Sequence, residues 1–381
     1  MEQNIFKNLP SDLTTNILSR LPLRTISISK CVCKPWLNLL QSHDFAKSKL
    51  KTPPALAQLT PLTSSTQCTV FQFQDEDEAD VESHALRFRP IADFEIHLGN
   101  KIKRCRAQET NGLLLIHTSS VRRVSVSNPI TREYINLFIP AEYVSAAYSL
   151  SFGFGVSKIS EQYKIVCINA DNGSDSHCVY TLGTGTWRRV EAGAASGFKF
   201  CFHAYIECNG NLHWTLEDSA EILSICAFDL DTECFSIFSA PVIEGLTEDR
   251  HAIDFRFNVL RGCLCLSYTL DDKVVIWMMK EYRVKESWTM VYHIGIDIDC
   301  GIDDCHWKLM NVYPIKLFEN GDVLMFLEEK CIIYYSNKTG TLQHVCRLTE
   351  GTSEDDEASA MIFTPTPFSL KSFGVENVIS F

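Results

Sequence analysis

The chain lacks any run of about 18 uncharged apolar residues, which a membrane-crossing helix requires. Its opening Met-Glu-Gln-Asn-Ile-Phe-Lys also lacks the apolar core of a secretory signal. Both absences predict a soluble intracellular protein, nuclear or cytoplasmic, with no membrane partner. Positive charge is in short supply: 35 Lys and Arg stand against 47 Asp and Glu, a formal net charge of −12 over 381 residues. That sign opposes binding along a phosphate backbone, so nucleic acid is not an expected partner. Catalytic signatures are missing as well, with no His-Glu-x-x-His and no Gly-x-Ser-x-Gly. Gly153-Phe154-Gly155 and Gly183-Thr184-Gly185 lack the downstream glycine, lysine and helix of a phosphate-binding loop, and are expected to serve turns or close strand approach.

No Cys-x-x-Cys pair occurs among the 16 cysteines. Cys300, Cys305 and His306 come nearest to a metal set, but no second pair follows at zinc-finger distance, so neither a metal nor a cofactor is expected. Cysteines inside apolar runs, such as Cys226, Cys331 and Cys346, read as reduced core thiols, and the alternating pairs Cys31/Cys33 and Cys263/Cys265 as packing residues. His213 beside Trp214 reads as a satisfied strand residue rather than a base.

What is present is apolar material, 45% of the chain, enough for one large or two moderate cored domains. The acid is concentrated in two runs, Asp75 to Glu82 and Glu350 to Glu357, both expected as solvated loops. The first 51 residues go the other way: Lys7, Arg20, Arg24, Lys30, Lys34, Lys47, Lys49 and Lys51 face only Glu2, Asp12 and Asp44. A basic segment in an acidic chain points to a separate module with an acidic partner.

Within that segment Pro10 and Ser11 supply helix-start chemistry and Asp12 suits the positive end of a helix dipole. Leu13, Ile17, Leu18 and Leu21 follow at spacings expected to share one face, and Pro22 stops the helix. A second helical stretch carries Ile26, Ile28, Val32 and Cys33. A third begins near Pro35 with Trp36, Leu39 and Leu40 and closes at Asp44-Phe45. Three short helices cannot bury so many large apolar side chains in so small a core, so the module is expected to dock on something.

These residues, Leu9-Pro10-Ser11-Asp12-Leu13, Ile17-Leu18, Arg20-Leu21-Pro22, Cys31-Val32-Cys33-Lys34 and Trp36, closely resemble the F-box, the adaptor-binding motif of cullin-RING ubiquitin ligases. The resemblance implies that Leu9, Pro10, Leu13, Ile17, Leu18, Leu21, Pro22, Val32, Cys33 and Trp36 pack against, or frame, an acidic Skp-family adaptor, which joins the chain to cullin and RING subunits. Plant F-boxes of this type carry Leu-Leu-Arg-Phe where this chain has Ile26-Ser27-Ile28-Ser29, so two apolar anchors are expected to be replaced by serines.

Residues 52–68, with Pro53, Pro54, Pro61 and a Thr/Ser cluster, read as a semi-rigid linker between the module at 1–51 and a second domain at 69–381. Beyond it the pattern turns to short β-rich runs, such as Thr69 to Phe73, Ile165 to Ile168 and Val274 to Trp277. A unit of Thr-x-x-aromatic leading into a strand recurs at Thr131 to Tyr134, Thr184 to Trp187 and Thr232 to Phe235, with degenerate copies at Lys285 to Trp288 and Thr339 to Leu342. The steps of 53, 48, 53 and 54 residues match a four-stranded kelch-type propeller blade. With a first blade made by Val70 to Phe73 and Ala85 to Phe88 around the acidic loop, six blades are expected, and Ala360 to Phe363 is placed to complete that blade and close the ring. The fold class is therefore an α+β multidomain chain, a small all-α module of three helices followed by an all-β kelch-like propeller.

The same region resembles the plant F-box-associated interaction domain. The signatures are Asn111-Gly112-Leu113-Leu114, Asn128 to Tyr134, Gly153-Phe154-Gly155, Tyr163 to Val166, Asn209 to Trp214, Ala227 to Leu230, Gly262 to Cys265 and Trp277 to Trp288. The family's C-terminal motif stands as Thr366-Pro367-Phe368-Ser369-Leu370-Lys371. The resemblance implies a non-catalytic substrate receptor, the module holding the ligase scaffold and the propeller holding the protein to be ubiquitinated and degraded. A propeller enzyme acting at the central funnel, with a helical appendage, is the reading from another class. Co-purification with the adaptor, against turnover of a small substrate, separates the two.

Overall fold

A computed structural model describes residues 9–21, 23–42, 45, 53–62, 65–73, 88–96, 106–117, 122–143, 150–169, 176–200, 205–217, 223–243, 253–270, 273–295, 311–327, 331–347, 358–375 and 377–380. The two acidic runs, and Cys300, Cys305 and His306, lie outside them. Among the described residues no helix is long and apolar enough to cross a membrane.

Three helices come first among the described residues, α1 Ser11–Ser19, α2 Leu23–Ser29 and α3 Lys34–Leu40; Phe45 is also helical, and from Ala55 on the described elements are strands and short 3-10 turns. Six antiparallel sheets of four or five strands follow, each a blade. Their innermost strands, Ser359–Phe363, Arg106–Thr110, Leu150–Val156, Ile206–Cys208, Arg256–Leu260 and Val312–Leu317, stand side by side in that order, and the last returns to the first. The ring is closed, and the six-bladed propeller expected from the repeat is present.

The repeat has a conformational cause. In each Thr-x-x-aromatic unit except the one at Lys285, the second residue has positive φ: Arg132 at 56°, Gly185 at 77°, Glu233 at 58° and Gly340 at 70°. That residue turns the chain into the outer strand, and the aromatic then seats against the blade, with Tyr134, Trp187, Phe235 and Trp288 at 7%, 8%, 6% and 8% exposure. Between the two inner strands of blades 2 and 4 the Asn-Gly pairs take φ of 47° and 82°, and 59° and 75°, the primed-turn geometry that fits the strand twist.

Closure is made by the distant strand. Ser359–Phe363 pairs antiparallel with Ala55–Pro61, in register Ala55 to Phe363 and Leu59 to Ser359. This corrects the reading of 52–68 as a linker. Ala55, Leu56, Ala57 and Leu59 are at most 1% exposed, apolar toward both faces of blade 1, and the prolines flank or end the strand rather than interrupt it. The propeller therefore starts at Ala55, not at 69. The partner of Thr66–Phe73 is Phe88–Ile96, so the first blade's outer strand begins at Phe88 rather than ending there, and residues 85–87 lie outside the described set.

Gly153 and Gly155 mark close strand approach, as their sequence context suggests. A Cβ at Gly153 would meet Leu212 Cδ1 at 2.7 Å and Trp214 Cζ2 at 2.8 Å, so blade 3's innermost strand fits against blade 4 only without a side chain. Gly153→Ala should therefore destabilise the propeller by about 1–3 kcal/mol through overpacking. Gly295→Ala, where a Cβ meets nothing within 4 Å, serves as the control. Denaturant unfolding midpoints decide it, and equal midpoints would refute the fit.

Candidate functional site

The helical module has a complete small core. Leu18, Ile26, Leu40 and Phe45 are at most 1% exposed, with Leu21, Trp36 and Leu39 packed around them. On α1 the inward residues are Thr14 and Leu18, one turn apart. Leu13 and Ile17 form the neighbouring stripe, at 52% and 51% exposure. The single apolar face expected for Leu13, Ile17, Leu18 and Leu21 is thus two stripes about 100° apart, since successive residues turn by that angle. One is spent on the core and the other faces solvent.

Ile28 and Val32 face outward too, at 62% and 60%. Ile28 was not among the expected contact residues, although its four-residue spacing from Val32 is a readable signal. Leu9, Leu21, Cys33 and Trp36 are half-buried, Pro10 is exposed, and Pro22 lies outside the described residues. Leu18, deep in the core, frames the surface from beneath.

Ser29 corrects the expectation of two lost surface anchors. It is 5% exposed, and its hydroxyl donates to the Thr25 carbonyl at 2.8 Å. A phenylalanine there would enter the module's interior rather than widen its outer face. The side chain of Ser27 is outside the described set.

The module rests on the propeller through the C-terminal segment. Lys30 Nζ donates to the Pro367 carbonyl at 3.4 Å, and burial lowers its pKa against the opposing pull of Glu133. The segment is a strap, not a strand, along the Thr366 to Lys371 motif. Asn128 Nδ2 donates to the carbonyls of Thr366 and Phe368, and the buried Glu133 carboxylate accepts from Ser369 Oγ at 2.9 Å and from the Leu370 N–H at 2.8 Å. Gly112 leaves room for it, since a Cβ there would lie 2.3 Å from Thr366 Cγ2. Leu370 enters the main core, and Phe373 meets Tyr163 edge-on at 5.3 Å.

Two half-buried carboxylates sit at the same end of the ring, in the repeated pattern Glu109-Thr110-Asn111-Gly112 and Glu207-Cys208-Asn209-Gly210. Glu109 Oε1 accepts from the Gly112 N–H at 2.7 Å and the Thr364 N–H at 3.3 Å, and Glu207 Oε1 from the Gly210 N–H at 2.9 Å. Sequence reading missed both, although the Glu-x-Asn-Gly repeat carries the signal. Burial, with a contribution from the Glu207 charge, pushes Glu109 from 4.5 up to about 7 against the two backbone N–H groups. With Oε1 committed to backbone donors, Glu109 is a structural staple for turn and strap. His213 is held by Tyr282 Oη at 2.8 Å and the Ile206 carbonyl at 3.3 Å, and burial lowers it to about 4. It is the satisfied strand residue expected.

Residues 62–365 match the model of the F-box associated beta propeller domain, and residues 6–48 match that of the F-box domain. The chain belongs to the F-box proteins with an F-box-associated propeller. Among relatives from Arabidopsis thaliana, it is 26% identical over 380 residues to F-box protein At3g07870, covering 88% of this chain and 86% of that one. It is 29% identical to F-box protein CPR1, covering 75% and 73%. F-box/kelch-repeat protein At3g23880 is 24% identical, covering 75% and 79%.

A pH dependence follows from Glu109. Its folded pKa lies above its unfolded one, so between about 4.5 and 7 the native chain holds a proton that the unfolded chain has released, and its contribution to stability falls as pH rises through that window. Glu109→Gln keeps an acceptor for the Gly112 N–H and does not titrate. Relative to the parent, the variant should gain stability as pH rises from about 4.5 to about 7 and be at least as stable as the parent at pH 8. His117 and His213, lowered to about 3 and about 4 by burial, act oppositely and keep the loss of stability below pH 6.5 in both proteins. Identical pH–stability curves would reject the assignment.

Proposed function

We propose that this chain is the non-catalytic substrate-recognition subunit of an SCF-type ubiquitin ligase. Its helical module binds a Skp-family adaptor, and through it cullin and RING subunits. Its propeller binds a target protein for ubiquitination and proteasomal degradation. The observation that carries the reading is the apolar surplus of the module: Leu13, Ile17, Ile28 and Val32 stay exposed after a core of Leu18, Ile26, Leu40 and Phe45 is filled. Four large apolar side chains left out by one small module mark a protein-binding surface. Leu9, Pro10, Cys33 and Trp36 extend or border it, and Leu18 and Leu21 hold it from beneath.

Burying each outward side chain against a partner contributes roughly 1.5–3 kcal/mol. Leu13→Ala with Ile17→Ala should therefore weaken capture of a recombinant Skp-family adaptor at least about thirtyfold, the equivalent of ~2 kcal/mol. Their exposure means that stability barely changes. Leu18→Ala should do the reverse in order of cause, destabilising the module by about 2–5 kcal/mol through a cavity and losing adaptor only as the module unfolds. Calorimetric titration beside a melting curve separates them, and undiminished capture by the folded double variant would overturn the proposal.

A further inference from the structure

The end of α2 and the turn after it face three ways within five residues. Ile28 and Val32 point outward at 62% and 60% exposure, Ser29 is interior, and Lys30 is half-buried against the strap. Backbone bonds fix these directions. The Lys30 N–H donates to the Ile26 carbonyl at 3.2 Å, that of Cys31 to Ile28 at 3.0 Å and that of Val32 to Ser29 at 3.1 Å, so the turn is wound onto the end of the helix. The Lys30 ammonium reaches the Pro367 carbonyl at 3.4 Å, and the nearby Glu133 charge favours its protonated form against burial.

The far side of this contact is stiff. Asn128 Nδ2 holds the carbonyls of Thr366 and Phe368, and in an extended chain alternate carbonyls face opposite ways, so that of Pro367 is left facing the module. Pro365 and Pro367 fix φ on either side of Thr366, and neither has an N–H to bond elsewhere. Asn128 ends one strand of blade 2 and Glu133 begins the next, so both anchors of the strap belong to one turn. That turn is tied to itself: Asn128 Oδ1 accepts from the Ile130 N–H at 2.8 Å, and Thr131 Oγ1 donates to Glu133 at 3.1 Å. Glu133 is 6% exposed, with Lys371 Nζ 3.9 Å away. Lys30 is thus a second cation drawn to one buried carboxylate, at the place where module and propeller meet.

We infer that Lys30 is a positioning residue, the latch that sets the direction in which the helical module, with the adaptor on it, stands on the propeller. The chain joins the two parts where the module runs on into Ala55–Pro61, and a body held at one point can swing. A second fixed point, two residues from Ile28 and from Val32, removes that freedom. The long apolar stem of a lysine spans the gap while its ammonium makes the bond. The consequence rests on the receptor reading: a target held by the propeller is offered to the ligase along one line rather than over a cone.

The test uses the full chain bound to a recombinant Skp-family adaptor. Asn38, exposed on α3, and Lys338, exposed on the propeller, are each replaced by p-acetylphenylalanine, whose ketone takes a nitroxide, since 16 cysteines rule out thiol labelling. Double electron–electron resonance then reads the spread of distances between module and propeller, which should be narrow in the parent. Lys30→Met keeps the stem and loses the ammonium, and should widen that spread about twofold or more, as expected of two domains without a firm interface. Lys30→Arg should restore the parental width. Melting midpoint and adaptor affinity should stay parental in both variants, which a merely structural role would not allow. Should Lys30→Met unfold the module, Glu133→Gln takes its place: it keeps an acceptor for Ser369 and Leu370, removes the charge facing Lys30, and must widen the spread.

A broad spread in the parent, parental width in the folded Lys30→Met chain, or equal widening in Lys30→Arg would each overturn the inference. So would a drop in melting midpoint that accompanies the widening, or parental width in Glu133→Gln where that variant is the one read. Failure of the adaptor to bind even the parent would count against the receptor reading instead, and the spread is then measured on the chain alone.

Discussion

Everything in this molecule hangs on one pairing, that of Ser359–Phe363 with Ala55–Pro61. Without that strand, Ala55–Pro61 would be the inner edge of its blade, and a sheet edge as apolar as Ala55-Leu56-Ala57 would template aggregation if left open. Borrowing a strand from the far end of the chain covers that edge and joins the first and last parts of the propeller in one blade. It also brings Phe363 to the ring's inner wall, and the strap that follows can start only from there.

From that point the functional geometry follows in sequence. The strap leaves the ring beside Glu109, crosses blade 2 under the hydrogen bonds of Asn128 and Glu133, and offers Pro367 to Lys30. The helical module is thereby held at the end of the propeller where the tight Asn-Gly turns lie. The exposed stripe of Leu13 and Ile17, proposed as its partner surface, lies next to the one that made its core, so binding there need not disturb folding. Glu133 is buried and Glu109 half-buried in an acidic protein, and each is tolerated because backbone N–H groups reach it.

The two ends of the propeller are consequently unlike. One is closed by short turns with fixed positive-φ residues, braced by carboxylates and covered by strap and helices. The other carries the half-buried side chains of Arg106, Arg122 and Arg123 and the buried ring of His117, whose nitrogens have no hydrogen-bond partner.

The sequence by itself determined what depends on near neighbours. The Thr-x-x-aromatic spacing announced the blades because each unit is one turn and one strand start. The Asn-Gly pairs carry a signal for primed turns, and the three helices followed from Pro, Ser and the apolar spacing around them. Tertiary structure decided the rest. Leu13 and Leu18 are both leucines on one short helix, and only the position of Ile26, Leu40 and Phe45 determines which of them is inside. Pro53, Pro54 and Pro61 looked like a linker until a strand some 300 residues later in the chain gave Ala55–Pro61 a partner. Ser29, a lost surface anchor by its place in the motif, is interior for the same reason. Periodicity reports which residues share a side of their own element. Which side meets the core depends on contacts between residues far apart in the chain, and these exist only once the ring is closed.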